Sequence, residues 1–296
     1  MWRSRTFLWF SLLVLLCVQG VVLVGITNFE HERLLQVSFL DVGQGDAILI
    51  TGPTGIQMLI DGGRDRSVVR ELPKVMNLLD RKIEVLVATH PDADHIGGLP
   101  EVLERYQISY IVTPGRVGES EVYEQFVVSA AKERGARQLL ARAGMRFQLG
   151  DGAYADVLYP GDNVSQLRES NDASIVLRVV YKDTEFLLSG DAPSWVEDRL
   201  VAQYGDALRS DVLKAGHHGS RTSTDALWLA AVKPRIVVVS AGRDNSYGHP
   251  HPEVLERIGA TGSEIVSTIT DQTITYESDG VSAAEREKLT WTSWWR

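Results

Sequence analysis

The sequence predicts an α/β domain in which two β-sheets pack face to face between outer helices, preceded by one transmembrane helix. Three observations carry this reading: an uncharged run of twenty residues near the N-terminus, short apolar runs of strand length alternating with helical periods through both halves, and Asp or His standing at the ends of several of those runs. The chain has 296 residues, enough for a sizeable core. Its 44% hydrophobic and 23% charged residues are the balance of a globular protein and exclude disorder and collagen-like structure.

The uncharged run extends from Phe7 to Ile26 and as a helix would be about 30 Å long, the thickness of a bilayer core. Arg3 and Arg5 precede it, and Asn28, Glu30, His31 and Glu32 follow, so the positive-inside rule puts the short N-terminus in the cytoplasm and the rest outside. A run longer than an ordinary signal-peptide core, with no A-x-A cleavage site after it, favours an uncleaved signal anchor over a cleaved peptide. The expected organisation is an anchor over 1–31, one domain over 32–280 and a Trp-rich tail over 281–296, which either caps the core or touches the membrane interface. Cys17, the single cysteine, lies inside the apolar run and excludes a disulfide framework and a Cys-based zinc ribbon.

The elements follow in order. Strands are expected over Leu34–Leu40, Ala47–Thr51 and Ile56–Ile60, the first two flanking the Gly-rich turn Asp41–Asp46. Gly43, Gln44 and Gly45 suit a tight hairpin turn there, and Asp41 and Asp46 read either as turn formers or as groups supporting a site. A helix over Arg66–Leu79 leads to a buried strand, Ile83–Thr89, and Glu119–Arg134 has the spacing of an amphipathic helix. Strands at Ala155–Pro160, Ser174–Tyr181 and Thr184–Gly190 come next, then a helix opened by Pro193. The strand at Asp211–Gly216, helix over Thr224–Val232, strand at Arg235–Gly242, helix over Pro252–Ile258 and strands near Glu264–Ser267 and Thr273–Glu277 complete the chain.

The histidines locate the chemistry. Six of seven fall in three short stretches: His90 and His95, His217 and His218, His249 and His251. His90, Asp92, Asp94 and His95 follow a buried strand on a turn, where residues i and i+2 leave on the same side and the next two can face a second centre. This mixture of carboxylate and imidazole suits divalent cations. Asp61, Asp191 and the His217–His218 pair also stand at strand ends, so several strands deliver polar groups to one edge. His249 and His251 flank Pro250 on a stiff turn before a helix, and can contact a phosphate, protonate a leaving group or cap that helix.

Taken as a set, Asp41–Ala47, His90–Gly98, Leu187–Asp191, Leu213–Ser220 and Tyr247–Leu255 resemble the metallo-β-lactamase fold superfamily, and within it the extracytoplasmic hydrolase domain of ComEC-like DNA-uptake proteins. The resemblance covers roughly Leu35 to Glu277 and implies a four-layer αββα sandwich. It implies two divalent ions, Zn²⁺ or Mn²⁺: His90 and Asp92 on one; Asp94, His95 and His218 on the other; Asp191 bridging them through two usable oxygens. Asp94, His217 and His249 are then the catalytic candidates, and His217, His249 and His251 the substrate contacts. Asp61 and Asn171 would orient ligands without touching the ions. Two departures stand out: Asp92 occupies the position of the signature's second His, and no His occurs between His95 and His217, so Asn171, Asp172 or Ser174 would take the place of the usual third-motif ligand.

The formal charge of −9 argues against nucleic-acid binding by counterion release alone, so a polyanion would be held by a local, cation-bearing site. The expected activity is phosphodiester hydrolysis with a dinuclear site activating water, on DNA by resemblance or on cell-wall polymers. The rival from another class is a non-catalytic binding domain that kept the fold. ComEC's multi-spanning channel has no counterpart in this sequence, so the resemblance bears on the domain's chemistry more than on DNA uptake.

Overall fold

The protein is described by a computed structural model over residues 9–20, 34–77 and 79–286. Residues 9–20 form helix α1, exposed along its length. Among the described residues no helix is long and apolar enough to cross a membrane. The described residues therefore do not support the expected transmembrane helix: the helix of residues 9–20 rises only about 18 Å against a core of roughly 30 Å. The rest of that segment, 7–8 and 21–26, lies outside the described residues, as do the Trp-rich positions 291–295.

The first sheet has eight strands: β1 (Leu35–Phe39), β2 (Ile48–Thr51), β3 (Gln57–Ile60), β4 (Lys82–Val87), β5 (Gln107–Thr113), β6 (Arg137–Leu140), β14 (Ile274–Ser278) and β15 (Ala283–Glu285), in the order β15-β14-β1-β2-β3-β4-β5-β6. The second has seven: β7 (Arg146–Gly150), β8 (Ala153–Tyr159), β9 (Val176–Tyr181), β10 (Thr184–Leu188), β11 (Val212–Lys214), β12 (Ile236–Val239) and β13 (Glu264–Ser267), in the order β13-β12-β11-β10-β9-β8-β7. The final two strands that the sequence suggests therefore join different sheets. Strand β15 carries the first sheet past residue 280, pairing Ala283 with Ser278.

Packing follows from which face each strand turns inward. Val37, Phe39 and Ile50 of one sheet meet Val179, Tyr181 and Phe186 of the other in a dry central layer. The opposite face of the first sheet is covered by α2 (Val68–Val75), α4 (Leu99–Arg105) and α5 (Glu121–Lys132) through Leu72, Val102 and Phe126. That of the second is covered by α6 (Ser194–Tyr204), α7 (Ala226–Val232) and α8 (Pro252–Gly259) through Val196, Trp228 and Ile258. The result is the four-layer αββα sandwich. Burial of these apolar side chains, each contributing about 1.5–3 kcal/mol, is the principal stabilising force.

Strands β3 to β6 run parallel, as do β10 to β13. Parallel strands end at the same rim, and the loops after β3, β4, β10, β11 and β12 emerge there together. Strands β5, β6 and β7 have no counterpart in the sequence reading. Edge strand β6 exposes three of its four residues and lacks the apolar alternation that marks a half-buried strand, while β7 alternates over only two apolar positions, Phe147 and Leu149.

The turn between β1 and β2 reaches the same rim because Gly45 adopts φ +119°; a Cβ there would lie 1.9 Å from the Asp94 carbonyl oxygen. Gly45→Ala should therefore cost at least about 2 kcal/mol by overpacking alone, and more from the strained φ. Urea denaturation checks this: a loss under 0.5 kcal/mol would show that the turn yields freely.

Candidate metal centre

Strand ends position every group of the site. The first sheet supplies Asp61 after β3 and His90 after β4, with Asp92, Asp94 and His95 on the turn and short helix α3 (Ala93–Ile96) that follow. The second supplies Asp191 after β10 and His217 and His218 after β11. The two sheets meet on one atom, Asp191 Oδ2, which lies 3.2 Å from His95 Nε2, 3.3 Å from His218 Nε2, 3.7 Å from His217 Nε2 and 4.0 Å from His90 Nε2.

The far nitrogens fix how these rings face. His95 Nδ1 lies 2.7 Å from Asp61 Oδ2, and His218 Nδ1 lies 3.0 Å from the Ser240 carbonyl oxygen. Both partners only accept, so each Nδ1 carries a proton and donates it, and each Nε2 turns a lone pair inward. Those two Nε2 atoms are 3.2 Å apart. Two lone pairs facing each other and a carboxylate repel unless a cation or protons lie between them.

The spacing suits a cation. Two donors bound at about 2.0–2.2 Å to one tetrahedral ion stand roughly 3.3–3.6 Å apart, and Asp94 Oδ2 joins the group at 3.5 Å from His218 Nε2. His90 Nε2 is buried with no hydrogen-bond partner and faces Asp92 Oδ2 at 3.6 Å, so a second donor set shares Asp191 Oδ2. The donor set fits divalent ions by its chemistry as well as its spacing, with carboxylates from Asp61, Asp92, Asp94 and Asp191 crowded about the imidazoles.

Asp46, His95, Asp191 and His218, all buried, bring ligand atoms within 4.8 Å of one another. Asp46 nevertheless stands outside the centre. Its oxygens approach the Nδ1 sides of both rings, 3.5 Å from His218 and 3.9 Å from His95, where the protons already point to Ser240 and Asp61. Asp94 faces the Nε2 side and is the better ligand.

The sequence reading missed Lys214, the last residue of β11. Its ammonium is fully buried, donates to the Gly190 carbonyl at 2.9 Å, pairs with Asp46 and lies 3.5 Å from Asp191 Oδ1. Lys214 therefore occupies the side of Asp191 away from the imidazoles, leaving Oδ2 alone to face them. This differs from the expected carboxylate with two free oxygens. Apolar positions around Lys214 gave no warning, since a lysine at a strand end ordinarily reads as solvated.

Electrostatics agrees with this layout. Burial raises Asp46, but Lys214 and then His218 outweigh it and bring it to about 2. Burial likewise opposes ionisation of Asp191, yet His218, His95 and Lys214 hold it well below the ordinary carboxylate value. Burial pushes His90 down to about 3, helped by His95. His95 and His218 move the other way: burial resists their charge, and Asp191 outweighs it, joined by Asp61 at His95 and by Asp46 at His218.

The remaining candidates surround this core. Asp61, at φ 59°, also accepts from the Thr89 amide at 2.8 Å and hydroxyl at 2.7 Å, which locks it against His95. Ser174 Oγ accepts the Asp191 amide at 3.2 Å, whereas Asp172 turns outward to Trp195 Nε1 at 2.8 Å. His217 is partly exposed, with Thr222 Oγ1 3.1 Å from its Nδ1 and Asn171 Nδ2 3.4 Å from its Nε2. The His249 ring is 5.5 Å from His217 and 6.3 Å from His218; His251 stands one ring further out, 4.9 Å from His249. His251 is the residue before α8, but its side chain makes no capping hydrogen bond. Asp41 accepts from the Gly43 amide at 3.3 Å and is a turn former.

Residues 40–243 match the family described as the metallo-beta-lactamase superfamily. The chain is 32% identical over 264 residues to "Recombination protein 2" of Haemophilus influenzae, covering 86% of this chain and 31% of that protein. It is 28% identical over 259 residues to "ComE operon protein 3" of Bacillus subtilis, covering 81% of this chain and 33% of that one. The chain thus spans about a third of the length of these relatives. Among solved structures, Igni18, a metallo hydrolase from Ignicoccus hospitalis, shares the fold with a TM-score of 0.52 at 15% identity, over 83% of this chain and 99% of that one.

Two outcomes follow from the geometry. Lys214→Met leaves Asp46 and Asp191 buried without their cation and should cost about 3–5 kcal/mol in urea denaturation; a neutral result would show that the pair contributes nothing. Because His95 and His218 hold protons more tightly than a free imidazole, a divalent ion must displace them, so cation affinity should rise from pH 6 to pH 8 with proton release. Titration calorimetry in buffers of different ionisation enthalpy measures that release, and affinity independent of pH would contradict it.

Proposed function

We propose that this chain, which belongs to the metallo-beta-lactamase superfamily, is a phosphodiesterase whose cations are held between His95, His218, Asp94 and Asp191 and between His90, Asp92 and Asp191. The observation that carries this is the convergence of four imidazole Nε2 atoms on one carboxylate oxygen, Asp191 Oδ2. Divalent ions held by these residues would supply Lewis-acid charge to a phosphoryl group and acidify water. Lys214 fixes the Asp191 carboxylate, and Asp61 and the Ser240 carbonyl fix the rings of His95 and His218.

The open side of the centre is lined by His217, His249 and His251. Burial, then the neighbouring imidazoles His217, His218 and His251, push His249 down to about 4. At neutral pH it is therefore an uncharged ring that offers a phosphate an N–H donor, not an imidazolium that protonates a leaving group. Burial also lowers His217, and Asn171 beside it adds an amide donor to the rim. Three neutral donors suit the non-bridging oxygens of a phosphodiester, which carries a single charge, and the negative chain as a whole disfavours loosely held polyanions.

DNA is the substrate we favour, supported by the matches to proteins named "Recombination protein 2" and "Competence protein ComA". We further propose an extracytoplasmic location, on the apolar run Phe7–Ile26 and the arginines before it. Incubating the full chain with bis-p-nitrophenyl phosphate, single-stranded DNA and a glycerol-phosphate polymer, with Mn²⁺ or Zn²⁺ and with chelator, tests the reading. Metal-dependent cleavage of the first two is expected, and Asp191→Asn should lower it more than about a hundredfold, beyond the loss typical of a supporting residue. Cleavage of the polymer but not DNA would move the substrate to the cell wall; no metal-dependent product at all would leave a binding domain.

A further inference from the structure

The turn that carries His217 and His218 adopts a backbone that its own residues disfavour. His217 (φ 47°, ψ 48°), His218 (φ 56°, ψ 23°) and Thr224 (φ 56°) all lie in the left-handed region. That region is uncommon for non-glycine residues and most unusual for a β-branched one such as Thr224. Such a conformation persists only where the surroundings over-determine it.

What over-determines it is a buried glutamate outside the metal centre. Helix α6 starts three residues after Asp191, and its first turn directs Glu197 inward, fully buried. Glu197 Oε1 accepts the Thr224 amide at 2.7 Å, and Oε2 accepts the Asp225 amide at 3.1 Å. Thr224 Oγ1 in turn accepts the amide of Gly216, the residue before His217, at 2.8 Å. Ser223 Oγ donates to the Ala192 carbonyl at 2.9 Å, tying the same loop to the residue after Asp191. There is no slack between these parts: a Cβ on Gly216 would come within 2.7 Å of Ser223 Cβ and 3.2 Å of Glu197 Oε1.

We propose that Glu197 is a positioning residue, which through Thr224 and Gly216 holds the His217–His218 turn in its left-handed form and keeps His218 Nε2 opposite Asp191. Asp191 and its clamp then lie on one seven-residue segment, 191–197, so the ligand from β10 and the ligand from the loop after β11 are set by a single stretch of chain. A carboxyl group suits the task because one side chain accepts two backbone donors; burial pushes it up to about 8 against the pull of those donors, so the two-point geometry rather than charge carries the clamp.

The proposal rests on the reading that the centre holds divalent cations, and two independent readouts separate them. The full chain and its variants Glu197→Ala, Glu197→Gln and Thr224→Gly are compared, with Val37→Ala in the central layer as a destabilised control. Mn²⁺ affinity is measured by calorimetry at 10 °C, and hydrogen exchange is followed at the amides of His217, bonded to the Gly190 carbonyl, and Ser220, bonded to the His217 carbonyl. Glu197→Ala should weaken Mn²⁺ binding by about 10–100-fold and strip protection from those amides. Glu197→Gln, which keeps one acceptor, should restore part of both, and Val37→Ala should lower only the melting temperature. Thr224→Gly keeps the amide bonded to Glu197 but loses the Gly216 acceptor, so it should weaken Mn²⁺ binding in a protein that folds even where Glu197→Ala does not. Unchanged affinity and unchanged amide protection in the Glu197 and Thr224 variants would overturn the proposal. If the unmodified chain binds no Mn²⁺, the metal reading fails on its own and the exchange data decide the role of Glu197.

Discussion

Everything at the rim depends on one carboxylate being held from both sides. Asp191 presents Oδ2 to the imidazoles, while its Oδ1 faces the Lys214 ammonium 3.5 Å away. A free carboxylate in a buried site would rotate and offer either oxygen; this one is pinned by a cation that two carboxylates keep charged against the opposing effect of burial. The same lysine pairs with Asp46, which comes from the other sheet. The ionic chain Asp46–Lys214–Asp191 therefore sets how the two sheets meet where the ligands converge. Isolated buried ion pairs are weak contributors to stability, and their better-attested use is to fix a unique arrangement. Here that arrangement is the placement of donors from two sheets around one oxygen.

The supporting contacts repeat the same logic at smaller scale. Each ligand imidazole has its far nitrogen committed to a fixed acceptor, and those acceptors sit at the ends of other strands: Asp61 after β3, the Ser240 carbonyl after β12. Because the strands are parallel and packed in register, a ligand and the group that orients it are separated by neighbouring strand ends rather than by flexible loop. The central layer of Phe39, Tyr181, Phe186 and their neighbours makes this frame rigid. The histidines of the 249–251 turn stand outside this frame, their backbone tied to Asn245 and Gly219, in keeping with contact to a substrate rather than to an ion.

Much of this was legible in the sequence. Strand ends closing on Asp61, His90, Asp191 and His218 marked groups that the structure brings together, because a charged or imidazole side chain directly after an apolar run has few structural reasons to be there. The layering of two sheets between outer helices followed from the same runs, whereas strands β5, β6, β7 and β15 and the order of the strands did not. What the sequence hid has physical causes. Lys214 closes an apolar strand and is buried only because Asp46 and Asp191 meet it from opposite sides, a pairing across 168 and 23 positions that no local pattern reveals. Asp46 shares its turn with Asp41, and only folding separates the buried carboxylate from the turn former. Glu197 looks like an ordinary polar position on a surface helix until the 216–225 loop folds over it. The apolar run at the N-terminus carries a clear hydropathy signal, of which the structure describes a helix over 9–20.

The arrangement around Asp191 is tested most directly by anomalous diffraction from crystals of the full chain grown with Mn²⁺. The account requires a peak bonded to Asp191 Oδ2 and to the Nε2 atoms of His95 and His218, with Asp46 still paired to Lys214. A peak coordinated by Asp46, or Mn²⁺ bound only away from Asp191, would contradict it.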